Sequence, residues 1–363
     1  MEKWQKNYIV ILLLVCVIAL FGCSRTRIID KISIIHVFGF DQADNGEIVG
    51  TALFPEYTKN KAGDQIQYLE EQAATSVLVA TNMAKHTSTP VEVAKIRVLV
   101  FGKNYAESGI QTMVERFITL PQLGTNIQIA VSTHSARETL NKFRKEKSLT
   151  LAERLEHNML GQSLPKMNLH IFLNSFYGEG MDAYVPMITI DEKDTIKIDG
   201  LGIFKDDKFK LHLNPEQTIF FSILKDYRNQ ATLKINLNGK DPSEVITVRA
   251  FRSRSKWDWD RKMEQLQLNL QLEWTIVQHP QQFNLGNSED VIEIKELIVE
   301  KIEKGIEDLI TTLKENEVDP LGIGNIVRSK DRSWEKENFY KKYRNLPINV
   351  NVDLEIIHTG LES

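Results

Sequence analysis

This sequence predicts an α+β protein, with mostly antiparallel sheets covered by helices, in two consecutive domains or three if the first subdivides. Three observations carry that prediction. Two late segments, Leu266 to Ile276 and Ile348 to Ile356, alternate apolar and polar residues, the mark of strands with one buried and one wet face. Between them Val291, Ile294, Ile298, Ile302, Ile306, Leu309 and Leu313 recur at steps of three and four, the spacing of one helix face. The strand-turn-helix grammar also breaks at Pro186 and the polar run 191–194, then restarts, which separates 23–190 from 195–363. At 363 residues the chain comfortably exceeds what one core needs.

The first element is a leader, residues 1–22. Lys3 and Lys6 precede an unbroken apolar run of 14 residues from Tyr8 to Phe21. That is a signal-peptide core, short of the roughly 20 residues that cross a bilayer. The run ends in Leu20-Phe21-Gly22-Cys23 and turns polar at Ser24-Arg25. This is similar to a bacterial lipobox, so Cys23 is expected to be acylated and to become the mature N-terminus, although Phe21 is bulky for its place. The other cysteine, Cys16, leaves with the leader, so the exported chain has no intramolecular disulfide. A doubly acylated end anchors stably where one chain would be marginal. The expected location is the outer face of a cell membrane.

Past the leader, Ile32–Phe40 and Glu47–Phe54 read as strands joined at the turn pair Asn45-Gly46. Ile66, Leu69, Ala73, Val77, Ala80 and Ala84 then predict a long amphipathic helix. Lys95–Gly102 and Asn126–Thr133 read as strands, with a helix over 106–118 between them. Ser135 and Glu138 form a capping box that opens the next helix. Residues 151–184 are helical in pattern and end at Gly178-Glu179-Gly180. In the second half, 195–204 and 208–213 flank Lys205-Asp206-Asp207 as a hairpin. Asn214, Pro215 and Gln217 supply an N-cap, a first-turn proline and a capping Gln for a following helix.

Candidate chemistry is sparse. With 45 Lys+Arg against 49 Asp+Glu, nothing favours nucleic-acid binding. The eight His residues show no metal-ligand spacing, and no phosphate loop, serine-nucleophile motif or dinucleotide fingerprint occurs. The sequence therefore offers no catalytic residue, no metal site and no cofactor. Asp258 and Asp260 in a D-x-D pattern fit a strand end better than a metal site. Glu179 and Asp182 could pair for acid–base work, but a polar loop explains them equally well. Trp257, Trp259 and Arg261, aromatics interleaved with cations, are the candidate partner or ligand surface.

Four segments then carry a resemblance. The stretch 319–325, Asp-Pro-Leu-Gly-Ile-Gly-Asn, followed by Trp334 and by LPINVNVDLEIIHTGL, resembles the C-terminal signature of the Ger(x)C spore germination lipoproteins. IIDKISIIHVFGFDQ, VAKIRVLVFGKNYAESGI and GLGIFKDDKFKLHLN are similar, in order, to that family's opening strand, strand–helix and strand pair. Two departures are Ser24-Arg25 in place of Trp-Asp after the lipidated Cys, and Gly202 where Ala is usual. The resemblance implies a non-enzymatic subunit of a nutrient germinant receptor at the inner spore membrane, beside two integral-membrane subunits. The alternative from another class is a substrate-binding lipoprotein of a small-solute transporter. That alternative expects parallel-sheet lobes around a cleft, against which the alternating strands speak.

Overall fold

The computed structural model describes residues 33–358, apart from 57–64, 88–90, 94, 121, 122, 125, 147–149, 162, 163, 226–230 and 238–243, together with 4, 5 and 7. Cys23 and the apolar leader core lie outside the described residues.

The first half forms an eight-stranded sheet in the order β10-β9-β8-β7-β6-β2-β3-β4. Its centre is parallel: β2 (Val37–Gln42), β6 (Val98–Gly102), β7 (Gln128–Ser132) and β8 (Tyr184–Ile190) run in one direction. Every residue of β6 is buried, as expected of a strand covered on both faces. Antiparallel pairs extend both sides. β3 (Ile48–Glu56) and β4 (Gln65–Ala73) follow β2, and β9 (Ile196–Lys205) and β10 (Lys208–Leu213) follow β8. A separate two-residue pair joins β1 (Ser33–Ile34) to β5 (Val91–Glu92) in parallel.

Helices cover both faces of this sheet. α1 (Ser76–Met83), α2 (Lys103–Ser108) and α3 (Gln111–Thr119) lie on the side to which Phe38, Phe40 and Phe101 point. α4 (Ala136–Phe143) lies on the other, where a Cβ on Gly39 would collide with Leu140 and Ala136. α5 (Leu151–Gly161) and α6 (Leu169–Tyr177) complete this half.

The second half is a four-stranded sheet, β11 (Thr232–Asn236), β12 (Val245–Asp260), β13 (Gln265–Gln278) and β14 (Ile348–His358). α7 (Pro215–Lys225) connects the halves. Its cap is reciprocal: the Gln217 N–H donates to Asn214 Oδ1 at 2.9 Å and the Asn214 N–H to Gln217 Oε1 at 3.0 Å. α8 (Ser288–Glu315) is the long helix, capped by Asn287, burying Ile294, Ile298, Ile302, Ile306, Leu309, Ile310 and Leu313. α9 (Ile323–Lys330) and α10 (Lys336–Tyr343) return the chain to β14.

The α+β class stands, with antiparallel pairs in the majority. Five expectations are corrected. Residues 66–84 are a strand and a short helix, because edge pairing puts Leu69 opposite Ala52 and Ala73 opposite Ile48, so the three-and-four spacing there was coincidental. The helix expected over 106–118 is broken at Gly109, whose φ of 121° only glycine adopts without strain. β14 pairs with β13 in parallel although it alternates, because α8 provides the crossover and covers one face while the other stays wet. The first sheet is covered on two sides, not one. Strands β9 and β10, placed after the break at 191–194, belong to the first sheet, so the sheet itself runs across that break.

Ile298 and Ile302 have no exposed surface, whereas Glu300 points to solvent. Ile298→Asp or Ile302→Asp is expected to lower stability by several kcal/mol and Glu300→Ala by under about 0.5 kcal/mol. Equal shifts in melting temperature would refute the register of α8.

Candidate functional site

The two halves meet at a buried pair of carboxylates. Asp182 precedes β8, and Asp319 opens the turn between α8 and α9. Asp319 is fully buried and Asp182 nearly so. They exchange backbone contacts: the Asp319 N–H donates to Asp182 Oδ2 at 2.6 Å, and the Asp182 N–H donates to the Asp319 carbonyl at 2.9 Å. The Asp319 carboxylate also accepts from the N–H groups of Ile323 at 2.8 Å and Gly324 at 2.7 Å, and from the Tyr340 hydroxyl at 3.1 Å. It thereby serves the first orphan donors of α9, as an anion at a helix start should. Lys205 of β9 pairs with Asp182 at 3.2 Å and stands 4.7 Å above the Tyr340 ring.

Glycines make this approach possible. Gly180 has φ 78°, and a Cβ there would lie 2.6 Å from the Gly324 carbonyl carbon. The Asn325 N–H donates to the Gly180 carbonyl at 2.8 Å, so the backbones of the two halves touch directly. Gly322, φ 76°, sets the turn that enters α9.

Burial pushes the Asp319 carboxyl up to about 7, against the pull of its hydrogen bonds, and nearby Asp182 adds to the rise. Burial also raises Asp182, which Lys205 partly offsets. Tyr340 and Tyr343 are held well above the ordinary phenol range, again chiefly by burial. The hydroxyl beside the carboxylates among the described residues is the Tyr340 phenol, which donates to Asp319 and is kept protonated by burial. This is a structural joint.

The sequence candidates fall out as follows. Glu179 faces outward to Arg328 at 3.4 Å while Asp182 turns inward, so the two do not form an acid–base pair. Trp257 and Trp259 sit opposite Leu268 and Leu266 and pack their indoles toward the core of the second half. Arg261 is exposed but bonded, to Asp331 at 3.3 Å and Ser333 at 3.2 Å. Lys330 reaches the Trp257 carbonyl and pairs with Asp258, which accounts for the D-x-D pattern without a metal. Among the described residues no cluster of three or more His, Cys, Asp or Glu could hold a metal, and no helix is long and apolar enough to cross a membrane. Sequence reasoning missed the roles of Lys205, Asp319 and Tyr340. The signal was the Asp-Pro-x-Gly-x-Gly spacing, whose partner, Gly180-x-Asp182, lies 137 residues away from Asp319.

A third buried carboxylate stands at a place where open α/β sheets hold ligands, the carboxyl end of the parallel strand β2. Asp41 at the end of β2 accepts from the N–H groups of Ala136 and Arg137, both at 2.7 Å, and so caps α4. Its oxygens stand where a Cβ on Gly102 would be.

These features define an α+β protein of two halves joined at the buried Asp182–Asp319 contact. Residues 25–190 match the family model described as spore germination protein N-terminal domain, and 199–360 match spore germination B3/GerAC like, C-terminal. The spore germination protein GerQC of Bacillus cereus is 26% identical over 366 residues, covering 99% of both chains. Spore germination protein KC of Bacillus subtilis is 22% identical, over 99% of this chain and 97% of its own. The crystal structure of the GerBC protein superposes with a TM-score of 0.59 at 14% identity, covering 88% of this chain and 97% of that one. The chain belongs to the Ger(x)C family of spore germination proteins, and it is not an enzyme.

An acid whose native pKa exceeds its unfolded one binds its proton more tightly when folded, so the joint loses stability as pH rises from about 4 to about 7. For Asp319 alone the loss is of the order of 4 kcal/mol at most. Urea midpoints measured across that range should fall with rising pH, and Asp319→Asn should flatten the slope. An unchanged slope in the variant would mean Asp319 is not the titrating group.

Proposed function

We propose that this protein is the lipid-anchored, non-catalytic subunit of a spore nutrient germinant receptor, required for germination in response to nutrients. The observation that carries this reading is the match of spore-germination family models to both halves in order, with GerQC aligned end to end. Its anchor is Cys23, acylated after removal of residues 1–22. Its place is the outer face of the membrane that becomes the inner spore membrane, and its partners are two integral-membrane receptor subunits. Physically, a lipid anchor confines the chain to the membrane surface and raises its effective concentration toward those partners. An adaptor then needs only a surface of about 800 Å² per partner, which leaves no short motif. The domain division 23–190 and 195–363 and the Trp257–Arg261 region as a partner surface belong to this proposal. Arg261, exposed beside the packed indoles, is its accessible edge.

The solute-binding alternative regains its parallel strands, since β2, β6, β7 and β8 run the same way. A different point speaks against it. At the carboxyl end of β2 the N–H groups of α4 that would hold a solute are taken by Asp41.

Deleting the gene should abolish the spore response to one class of nutrient while leaving germination by non-nutrient triggers intact. Unchanged nutrient germination together with reduced uptake of one solute would hand the function to the solute-binding reading. Mass spectrometry of the membrane form should show loss of residues 1–22 and a diacylglyceryl mass on Cys23, and Cys23→Ala should release the protein. An intact Met1 would refute the anchor.

A further inference from the structure

We propose that helix α1, with the groove it forms against α3, is the surface on which this protein rests on the lipid leaflet that holds it, Val77 and Leu78 entering the acyl region. The tether in this argument rests on the acylation of Cys23; the surface itself does not.

The surface is apolar where water should be. α1 reads Ser-Val-Leu-Val-Ala-Thr-Asn-Met, without a charge, and exposes 44% of Val77 and 46% of Leu78. A soluble surface helix keeps a polar outer face, as α4 and α10 do with their several Lys, Arg and Glu residues. Val79 and Met83 already supply the buried side of α1, so Val77 and Leu78 are surplus to the core. Beside Val77 a cavity of about 390 Å³ opens between α1 and α3, floored by Phe38, Phe40 and Leu99 and walled by Met113 and Phe117. Among the described residues lining it, Arg116 is the one that carries charge.

Chain connectivity says what covers this face. Ser33 of β1 pairs with Val91 of β5, and Val91 and Val93 line the same cavity. The nine residues 24–32 separate Cys23 from Ser33, so the anchor lies within roughly 35 Å of the groove even with the tether fully extended. The leaflet is therefore the apolar phase nearest to α1. Arg116 at the groove suits the anionic headgroups that a bacterial leaflet would present. A protein occupant would be expected to meet a polar rim, and the described lining offers only Ser76, Thr81 and Arg116 for one. Tethering removes the need for tight binding, so two exposed aliphatic side chains and an open groove suffice to select an orientation.

The test reads depth in the bilayer. Once Cys23 is acylated and Cys16 is removed with the leader, Leu78→Cys carries the sole free thiol. The lipidated protein, labelled there with bimane, is reconstituted in phosphatidylglycerol–phosphatidylcholine vesicles containing doxyl-labelled lipid. Quenching several-fold stronger than at a Lys234→Cys control, exposed on β11, is the expected result. Adding Val77→Asp should reduce the quenching at position 78 while leaving the melting temperature unchanged. Equal weak quenching at both positions overturns the proposal. Quenching at position 78 that requires co-reconstituted membrane subunits overturns it in favour of a protein partner. The intact mass of each sample reports acylation separately. If Cys23 is unmodified, a chain starting at Ser24, which retains every described core residue, is held by an N-terminal hexahistidine tag on nickel-chelating lipid. The same contrast between positions 78 and 234 then decides the surface, while the anchor reading alone fails.

Discussion

The architecture depends on one buried contact, the reciprocal exchange between Asp182 and Asp319. Two carboxylates brought together out of water would ordinarily repel and desolvate at a cost of several kcal/mol. Here that cost is offset in three ways. Backbone donors of α9 meet Asp319, Lys205 meets Asp182, and burial raises both acids toward the protonated form. A half-satisfied network would be worse than an apolar joint, which is why Tyr340 and the glycine pair matter as much as the acids. Gly180 and Gly324 let the backbones approach closely enough for the Asn325 N–H to reach the Gly180 carbonyl. Tyr343 ties the other side of the turn by donating to the Val318 carbonyl at 3.0 Å. The second half is therefore docked chiefly through main-chain groups, with the Asp182 carboxylate as the side-chain acceptor.

What was legible in the sequence follows from the range of each signal. β13, α8, the Ser135 N-cap that accepts from the Glu138 N–H and the reciprocal cap at Asn214 are local patterns, and all four stand in the structure. β4 was misread because Ile66, Leu69 and Ala73 satisfy helical spacing by chance, while the hydrogen bonds that make it a strand come from β3. Strand direction was misread at β14 because alternation reports which faces are wet, not which way the neighbour runs. The joint was hardest to see. Asp182 looked like half of a pair with Glu179 because sequence proximity was the available guide, whereas its true partner arrives from the far end of α8. The Trp257–Arg261 cluster looked exposed for the same reason, since the packing that turns its indoles inward involves β13 and the residues after α9.

The parallel centre of the first sheet also changes the argument about ligands. Parallel strands with helices on both faces normally leave a crevice at their carboxyl ends. In this chain that position holds Asp41, whose carboxylate stands where an anionic ligand would sit against the N–H groups at the start of α4. Burial raises the Asp41 pKa despite those two donors, so the carboxylate has been taken largely out of water to fill the site. The fold keeps the scaffold of a binding domain and spends its binding position on internal structure. That agrees with a family whose members are not enzymes.

The positions of β1 and of the joint along the fold give the last step. β1 and β5 lie near the β2–β3 side, whereas the joint is made by the segment entering β8 and by Lys205 of β9. From β3 to β9 the order runs through β2, β6, β7 and β8, five inter-strand steps of about 4.8 Å each. The second domain is thus carried on the side of the sheet away from β1, the first strand described. A rigid joint is what makes that offset useful. With a flexible hinge the domain would sample many positions relative to the membrane, and a membrane partner would bear the entropy of fixing it on binding. With the buried Asp182–Asp319 contact, any seating of the first domain also sets the second, so on the lipid seating proposed above one weak contact would orient both.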